Sequence, residues 1–223
     1  MIQGTNEELQ FWKSFVKTPR FLNDWCSNEK TSELDQDVAD FILKNCPNGG
    51  QILDCGSGAV SVLKGLHKTA NIVATDLLAD DYVKIFDYTK HGIRPPIAIG
   101  AEEVESILPV YGKFDIAHIR NALDHTQDPV KAYNSMLACV KPGGYLIIQG
   151  FENEGTFEKW QGMHQWDISV VEEKEISHSE IIPTHLSITS KAGDSIGKNG
   201  GYHWHKKIKL DTGKDWFVFI VKK

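Results

Sequence analysis

The chain has 223 residues, room for one domain of ordinary size with an appended cap but too few for two full domains. Lys plus Arg number 24 and Asp plus Glu 30, a formal net charge of -6 that argues against nucleic acid as the main partner, since phosphate affinity rests on clustered basic residues. With 41% hydrophobic and 24% charged residues the composition excludes a disordered chain, and no apolar run approaches the roughly 18 residues that would cross a bilayer.

Residues 1–48 read as a helical cap. Met1 to Gln10 is polar and acidic, without the basic and apolar stretches of a secretory signal. Glu7 to Lys17 places Leu9, Phe11, Trp12, Phe15 and Val16 at a helical spacing that stops at Pro19, and Phe21, Leu22 and Trp25 follow. A second helix is expected over Leu34 to Asn45, ended by Pro47, Asn48, Gly49 and Gly50. From Gln51 short apolar strands alternate with helical stretches, the pattern of βαβ units. Strands are expected at Gln51–Cys55, Asn71–Thr75, Ile97–Ile99, Phe114–Ile119 and Tyr145–Gly150, with helices at Val60–His67, Asp81–Tyr88, Ala101–Leu108 and Pro129–Val140. Lys141-Pro142-Gly143-Gly144 reads as a helix stop and turn. Right-handed crossovers make this an α/β fold, a doubly wound, mostly parallel sheet with helices on both faces. Residues 151–223 form a last segment, with a possible strand at Glu180–Thr189, and a closing antiparallel hairpin of Tyr202–Leu210 and Trp216–Val221. The whole is expected to be a single domain, with residues 49–150 as its cofactor-binding half.

The four cysteines, Cys26, Cys46, Cys55 and Cys139, form no Cys-x-x-Cys pair, which points to a reducing, cytoplasmic setting. The most informative run is Asp54-Cys55-Gly56-Ser57-Gly58, where an apolar strand ends in a turn whose glycines let a ligand approach the backbone. Asp76 ends the next strand 20 residues after Gly56, a distance at which a carboxylate can accept from ribose hydroxyls. A nucleoside cofactor is implied. Asp54, a fixed negative charge beside the loop, would repel a pyrophosphate and suits an ammonium or sulfonium group, which counts against a nicotinamide-dependent oxidoreductase.

This pattern resembles the class I S-adenosylmethionine-dependent methyltransferases, small-molecule branch. Asp54-Cys55-Gly56-Ser57-Gly58 matches their Asp/Glu-x-Gly-x-Gly motif. Ile99-Gly100-Ala101-Glu102, Phe114-Asp115-Ile116, Leu123-Asp124-His125-Thr126-Gln127-Asp128-Pro129 and Leu137 to Leu146 follow in the family's order. The resemblance implies S-adenosyl-L-methionine as cofactor, with S-adenosyl-L-homocysteine as product. It places Gly56, Ser57 and Gly58 at the methionyl part, Asp54 at its amino group and Asp76 at the ribose. Leu77, Ala101 and Glu102 would lie at the adenine, and Asn121 would face cofactor and acceptor.

Methyl transfer from a sulfonium is an in-line displacement, so a hydroxyl acceptor needs alignment and a base. His125 is the first candidate, with Asp124 to orient it, and His164 the second, with Trp160 and Trp166 as pocket walls. The segment Gly162 to Asp167 resembles methyltransferases of bacterial surface polysaccharides, which implies a sugar or sugar-linked acceptor. Trp12, Phe15, Phe21 and Trp25 are lid or pocket candidates. His203 and His205, flanking Trp204, would share one strand face; without a third ligand they define no metal site, and no metal is assigned. The expected partner is a small-molecule acceptor, with no nucleic acid and no membrane. The protein is expected to be a monomer or homodimer, an O-methyltransferase with N-methylation as the nearest variant. A catalytically silent cofactor-binding module is the reading from another class.

Overall fold

The structure is a computed structural model that describes residues 4–26, 34–66, 68–177, 180–182, 184–198 and 201–223. Its centre is a seven-stranded sheet in the order β11-β12-β5-β4-β1-β2-β3. The strands are β1 (Gly50–Cys55), β2 (Ala70–Asp76), β3 (Ile97–Ala98), β4 (Phe114–Arg120), β5 (Val140–Phe151), β11 (Tyr202–Lys209) and β12 (Asp215–Lys222). The first five run parallel, while β12 enters antiparallel between β5 and β11. The expected hairpin is therefore present, and its second strand completes the sheet interior.

Strands buried on both faces read as continuous apolar runs. In β12, Phe217, Phe219 and Val221 enter one core and Trp216, Val218 and Ile220 the other. The second core is closed by α2 (Gln36–Asn45), whose Asp35 side chain caps the helix by accepting from the Asp37 N–H at 2.9 Å. The first is closed by α6 (Pro129–Cys139), capped by Asp128 and started by Pro129, and by a 3-10 helix at Ala101–Ile107. Beside α6 this face is covered by a small antiparallel sheet, β10-β9-β6, in place of a further helix. Its strands are β6 (Trp166–Val171), β9 (His185–Ser190) and β10 (Ser195–Lys198).

Several local expectations are corrected. The helix expected at Val60–His67 is a 3-10 turn at Val62–Leu66, following Ser61, whose hydroxyl accepts from the Leu63 N–H; His67 lies outside the described residues. Asp81–Tyr88 is two helices, α3 (Ala79–Ile85) and α4 (Tyr88–His91), because Asp87 caps a new start by accepting from the Lys90 N–H. The Ala101–Leu108 helix is the 3-10 segment above, followed by α5 (Leu108–Tyr111) with Pro109 in its first turn. Lys141 to Gly144 stays within β5 as a shift of register, Phe114 facing Val140 and Ile116 facing Tyr145. The strand expected at Glu180–Thr189 divides into β8 (Glu180–Ile182), paired with β7 (Lys174–Ser177), and β9; Pro183 lies outside the described residues.

The N-terminal segment supplies α1 (Thr5–Phe15) and a single π-helical turn at Phe21–Trp25. Trp12, Phe21 and Val16 pack with Ala59, Val60, Leu78, Tyr82 and Phe86 in a third core, above the carboxyl ends of β1 and β2. Trp12 lies against Gly58: a Cβ there would come within 2.3 Å of its ring. No helix among the described residues is long and apolar enough to cross a membrane.

Candidate active site

A cavity of about 1050 Å³ opens at the carboxyl ends of β1, β2 and β4, where the order of parallel strands reverses and ligands of such sheets bind. Its floor is the β1 turn. Gly56 and Gly58 have φ of 60° and 65°, a region that favours glycine, and a Cβ on Gly56 would meet that of Ala122 at 2.6 Å. Ser57 is held by its N–H to Thr75 O.

Two carboxylates flank this turn. Asp54, 1% exposed, accepts from the Ser61 hydroxyl at 2.5 Å, and its Oδ1 lies 2.7 Å from His118 Nδ1. The His118 ring, fully buried in β4, has Gln149 of β5 at 2.9 Å from its Nε2. With Asp54 as acceptor, the Nδ1 proton is fixed on the Asp54 side. Asp76 accepts from the Gly58 N–H at 2.9 Å and the Leu78 N–H at 2.8 Å, and so ties the glycine turn to the end of β2. Burial pushes its carboxyl up to about 6, against the pull of those two donors.

Every expected cofactor residue borders this cavity. Leu77 presents an exposed side chain, Ala101 and Glu102 begin the 3-10 helix, and Asn121 directly follows β4 at φ 50°. Glu102 also accepts from the Gln127 N–H at 2.7 Å, which draws the loop after β4 against the cavity rim. Asn121 Oδ1 and Trp25 Nε1 are buried on the wall without a hydrogen-bond partner, an arrangement that awaits a polar ligand. Glu8, Asp54, Asp76, Glu102, Glu103, Asp128 and Glu154 outweigh Arg20, Arg120 and Lys131 around it, so the field favours a cation over a pyrophosphate. These residues fit a nucleoside that carries a sulfonium and an ammonium group.

At the other end the three expected catalytic residues meet. His164 Nδ1 lies 2.8 Å from Asp124 Oδ2 and 3.2 Å from His125 Nε2, and the two rings stand edge to face at 4.6 Å. Asp124 is buried, which alone would raise its carboxyl, but His125 and His164 beside it hold it below the usual range. Burial alone would lower the His164 imidazole; Asp124, Glu154 and Glu158 outweigh it and raise it. Glu154, in the short helix α7 (Glu154–Phe157), is raised by burial and by Asp124, and is paired with Lys214 at 2.9 Å.

The aromatic expectations divide. Trp12, Phe15 and Trp25 line the cavity, whereas Phe21 is fully buried beneath them. Met163 and His164 reach it, but Trp160 and Trp166 do not: Trp166 starts β6 and donates its indole N–H to Thr126 O, and Trp160 packs against Gly155. His203 and His205 lie on opposite faces, because a bulge between Tyr202 and Trp204 breaks the alternation. His203 packs on Phe41 and Tyr145, and His205 contacts Tyr202 and Glu172. Sequence reasoning missed His118, Gln149, Glu154, Arg120 and Trp216; only Ser61, seven residues after Asp54, stood near a motif.

The sheet order with β12 inserted antiparallel, and the site at its reversal, define a class I S-adenosylmethionine-dependent methyltransferase, an enzyme with S-adenosylmethionine as cofactor. A family model described as a methyltransferase domain matches residues 28–187, and the chain belongs to that family. Among solved structures it is similar to an S-adenosylmethionine-dependent methyltransferase from Clostridium acetobutylicum, with 12% identity, TM-score 0.53 and coverage of 97% of this chain and 98% of that one. It is also similar to 1,6-didemethyltoxoflavin-N1-methyltransferase from Burkholderia thailandensis, solved with 1,6-didemethyltoxoflavin and S-adenosylhomocysteine (14%, TM-score 0.51, coverage 100% and 91%). A third likeness is to the N-methyltransferase NodS of Bradyrhizobium japonicum (11%, TM-score 0.52, coverage 84% and 93%). At these identities the likeness is one of fold. No curated protein matches the sequence.

Proposed function

We propose that this enzyme methylates a hydroxyl of a small, sugar-like acceptor in the cytoplasm, and that the Asp124, His125 and His164 cluster activates that hydroxyl. The observation that carries the reading is the joining of two chemistries in one cavity: an acidic glycine turn at one end and a carboxylate-backed imidazole pair at the other. The cofactor, when bound, supplies a methyl group on a cationic sulfur. Asp54 holds its amino group, Gly56, Ser57 and Gly58 cradle the methionyl part, and Asp76 accepts from the ribose. Leu77, Ala101 and Glu102 would border the adenine, and Asn121 would face cofactor and acceptor. His125 takes the acceptor proton, Asp124 stabilises the imidazolium that results, and His164 bridges the two. Trp12, Phe15 and Trp25 exclude water from above, which strengthens every charge interaction inside.

N-methylation is the second reading. It is favoured by two of the structures of like fold, whose titles name N-methyltransferases. The test is release of S-adenosylhomocysteine over a panel of sugars, sugar nucleotides, phenols and amines, repeated with His125→Ala. Turnover should fall about 100-fold in the variant on a hydroxyl acceptor, with affinity for S-adenosylhomocysteine unchanged. Equal turnover removes His125 as the base, and turnover confined to amines replaces the first reading by the second.

A further inference from the structure

We propose that Asp124, His125 and His164 form a binding site for one divalent transition-metal ion at the acceptor end of the cavity. Their donor atoms, Asp124 Oδ2, His125 Nε2 and His164 Nδ1, are separated by 2.8, 3.2 and 3.5 Å. Around an ion with bonds of about 2.1 Å, neighbouring ligands stand about 3.0 Å apart in octahedral and about 3.4 Å apart in tetrahedral geometry. The triangle therefore already has the dimensions of a coordination face. It is the only such grouping of three or more metal-ligating side chains among the described residues.

An independent observation points to a cation at the same place. Glu154, 4% exposed, has Oε1 paired with Lys214, but its Oε2 is buried with no hydrogen-bond partner, 3.9 Å from His164 Nδ1. A buried carboxylate oxygen without a donor is costly, and a dication held by the three neighbouring ligands would compensate it. Two imidazole nitrogens and one carboxylate oxygen suit zinc, cobalt, iron or manganese better than magnesium or calcium, which prefer all-oxygen sites. Three protein ligands leave open positions, and His125 and His164 both border the cavity, so an acceptor hydroxyl can complete the coordination. With the ion in place the imidazole lone pairs are committed to it and His125 no longer serves as the base; the ion's charge lowers the hydroxyl's hold on its proton, which passes to solvent water in the open cavity. The proposal rests on donor geometry and does not depend on which acceptor is methylated.

The test uses full-length protein without a histidine tag, stripped with chelator and titrated with Co²⁺ alone, followed by visible absorption and calorimetry. One equivalent should bind with ligand-field bands of nitrogen coordination, and His125→Ala and His164→Gln should each weaken binding at least about tenfold. His203→Ala/His205→Ala should bind as the parent does. Unchanged S-adenosylhomocysteine affinity in the variants shows that they fold; should either fail to fold, the parent spectrum alone decides. No saturable binding, a spectrum of the hydrated ion, or full affinity in folded His125→Ala and His164→Gln overturns the site. None of these readouts involves methyl transfer, so failure here leaves the proposed function standing.

Discussion

Affinity for the cofactor should turn with pH on Asp76. Its carboxyl is pushed up to about 6 by burial, from an ordinary value of 3.8. The folded chain thus holds this proton more tightly than the unfolded chain. The stability so gained is complete below about pH 3.8 and is lost as pH rises through about 6. The difference, 6 minus 3.8 at about 1.36 kcal/mol per pH unit, makes the charged form cost about 3 kcal/mol in the ligand-free protein. With Asp76 at the ribose, as proposed, the hydroxyls would donate to the carboxylate and favour the ionised form, which would link binding to release of a proton. Near pH 5 roughly one carboxyl in ten is ionised, so S-adenosylhomocysteine should bind about tenfold more weakly there than above about pH 7. Calorimetric titrations in two buffers of different ionisation enthalpy read both the dissociation constant and the proton released. Asp76→Asn should flatten the profile and weaken binding at neutral pH by about 1 to 3 kcal/mol. Constant wild-type affinity between about pH 5 and pH 8, or a slope that survives in Asp76→Asn, refutes the reasoning.

Gly58→Ala must place a Cβ 2.3 Å from the Trp12 ring at φ 65°, so it should lower stability by about 1 to 3 kcal/mol and S-adenosylhomocysteine affinity at least about tenfold; an unchanged urea midpoint would dismiss the contact. Trp12→Ala removes a ring packed on Phe15, Phe21, Trp25 and Tyr82 and should cost about 3 to 5 kcal/mol in urea unfolding, whereas a loss below about 1 would show α1 to be loosely held. His118→Ala leaves buried Asp54 without its ring partner, an expected loss of about 1 to 3 kcal/mol by the same assay; near-neutral behaviour would mean that Ser61 alone suffices for Asp54.

What could be read from the sequence was local. Asp54 to Gly58 declares itself because an apolar run, a turn and a helix-like stretch sit side by side, and Asp76 follows at a fixed interval set by one βα unit. The proposed catalytic cluster was named residue by residue, but its assembly spans 40 positions from Asp124 to His164, which no periodicity encodes. His118 was invisible for a different reason. It stands inside the apolar run Phe114 to Ile119, where a strand buried on both faces gives no sign that one position faces a carboxylate 64 residues earlier. Of the small sheet of β6, β9 and β10 only the β9 stretch was expected, within Glu180–Thr189; β6 and β10 were not read as strands, because they are only six and four residues long and their pairing depends on the core they cover. The pairing of His203 with His205 failed through one inserted residue, since a bulge reverses every side chain beyond it.

The place of β12 bears on how the molecule is made. Asp215 lies 64 residues beyond Phe151, yet β12 fills the interior position next to β5. During synthesis the edge of β5 from Tyr145 to Phe151 is therefore left without its neighbour until residues 215–222 have been made, and the apolar side chains Leu146, Ile147 and Ile148 flank that open edge. Closure of the sheet is thus a non-local event, and a ribosome-bound chain halted before Trp216 would expose an adhesive strand in place of a finished core.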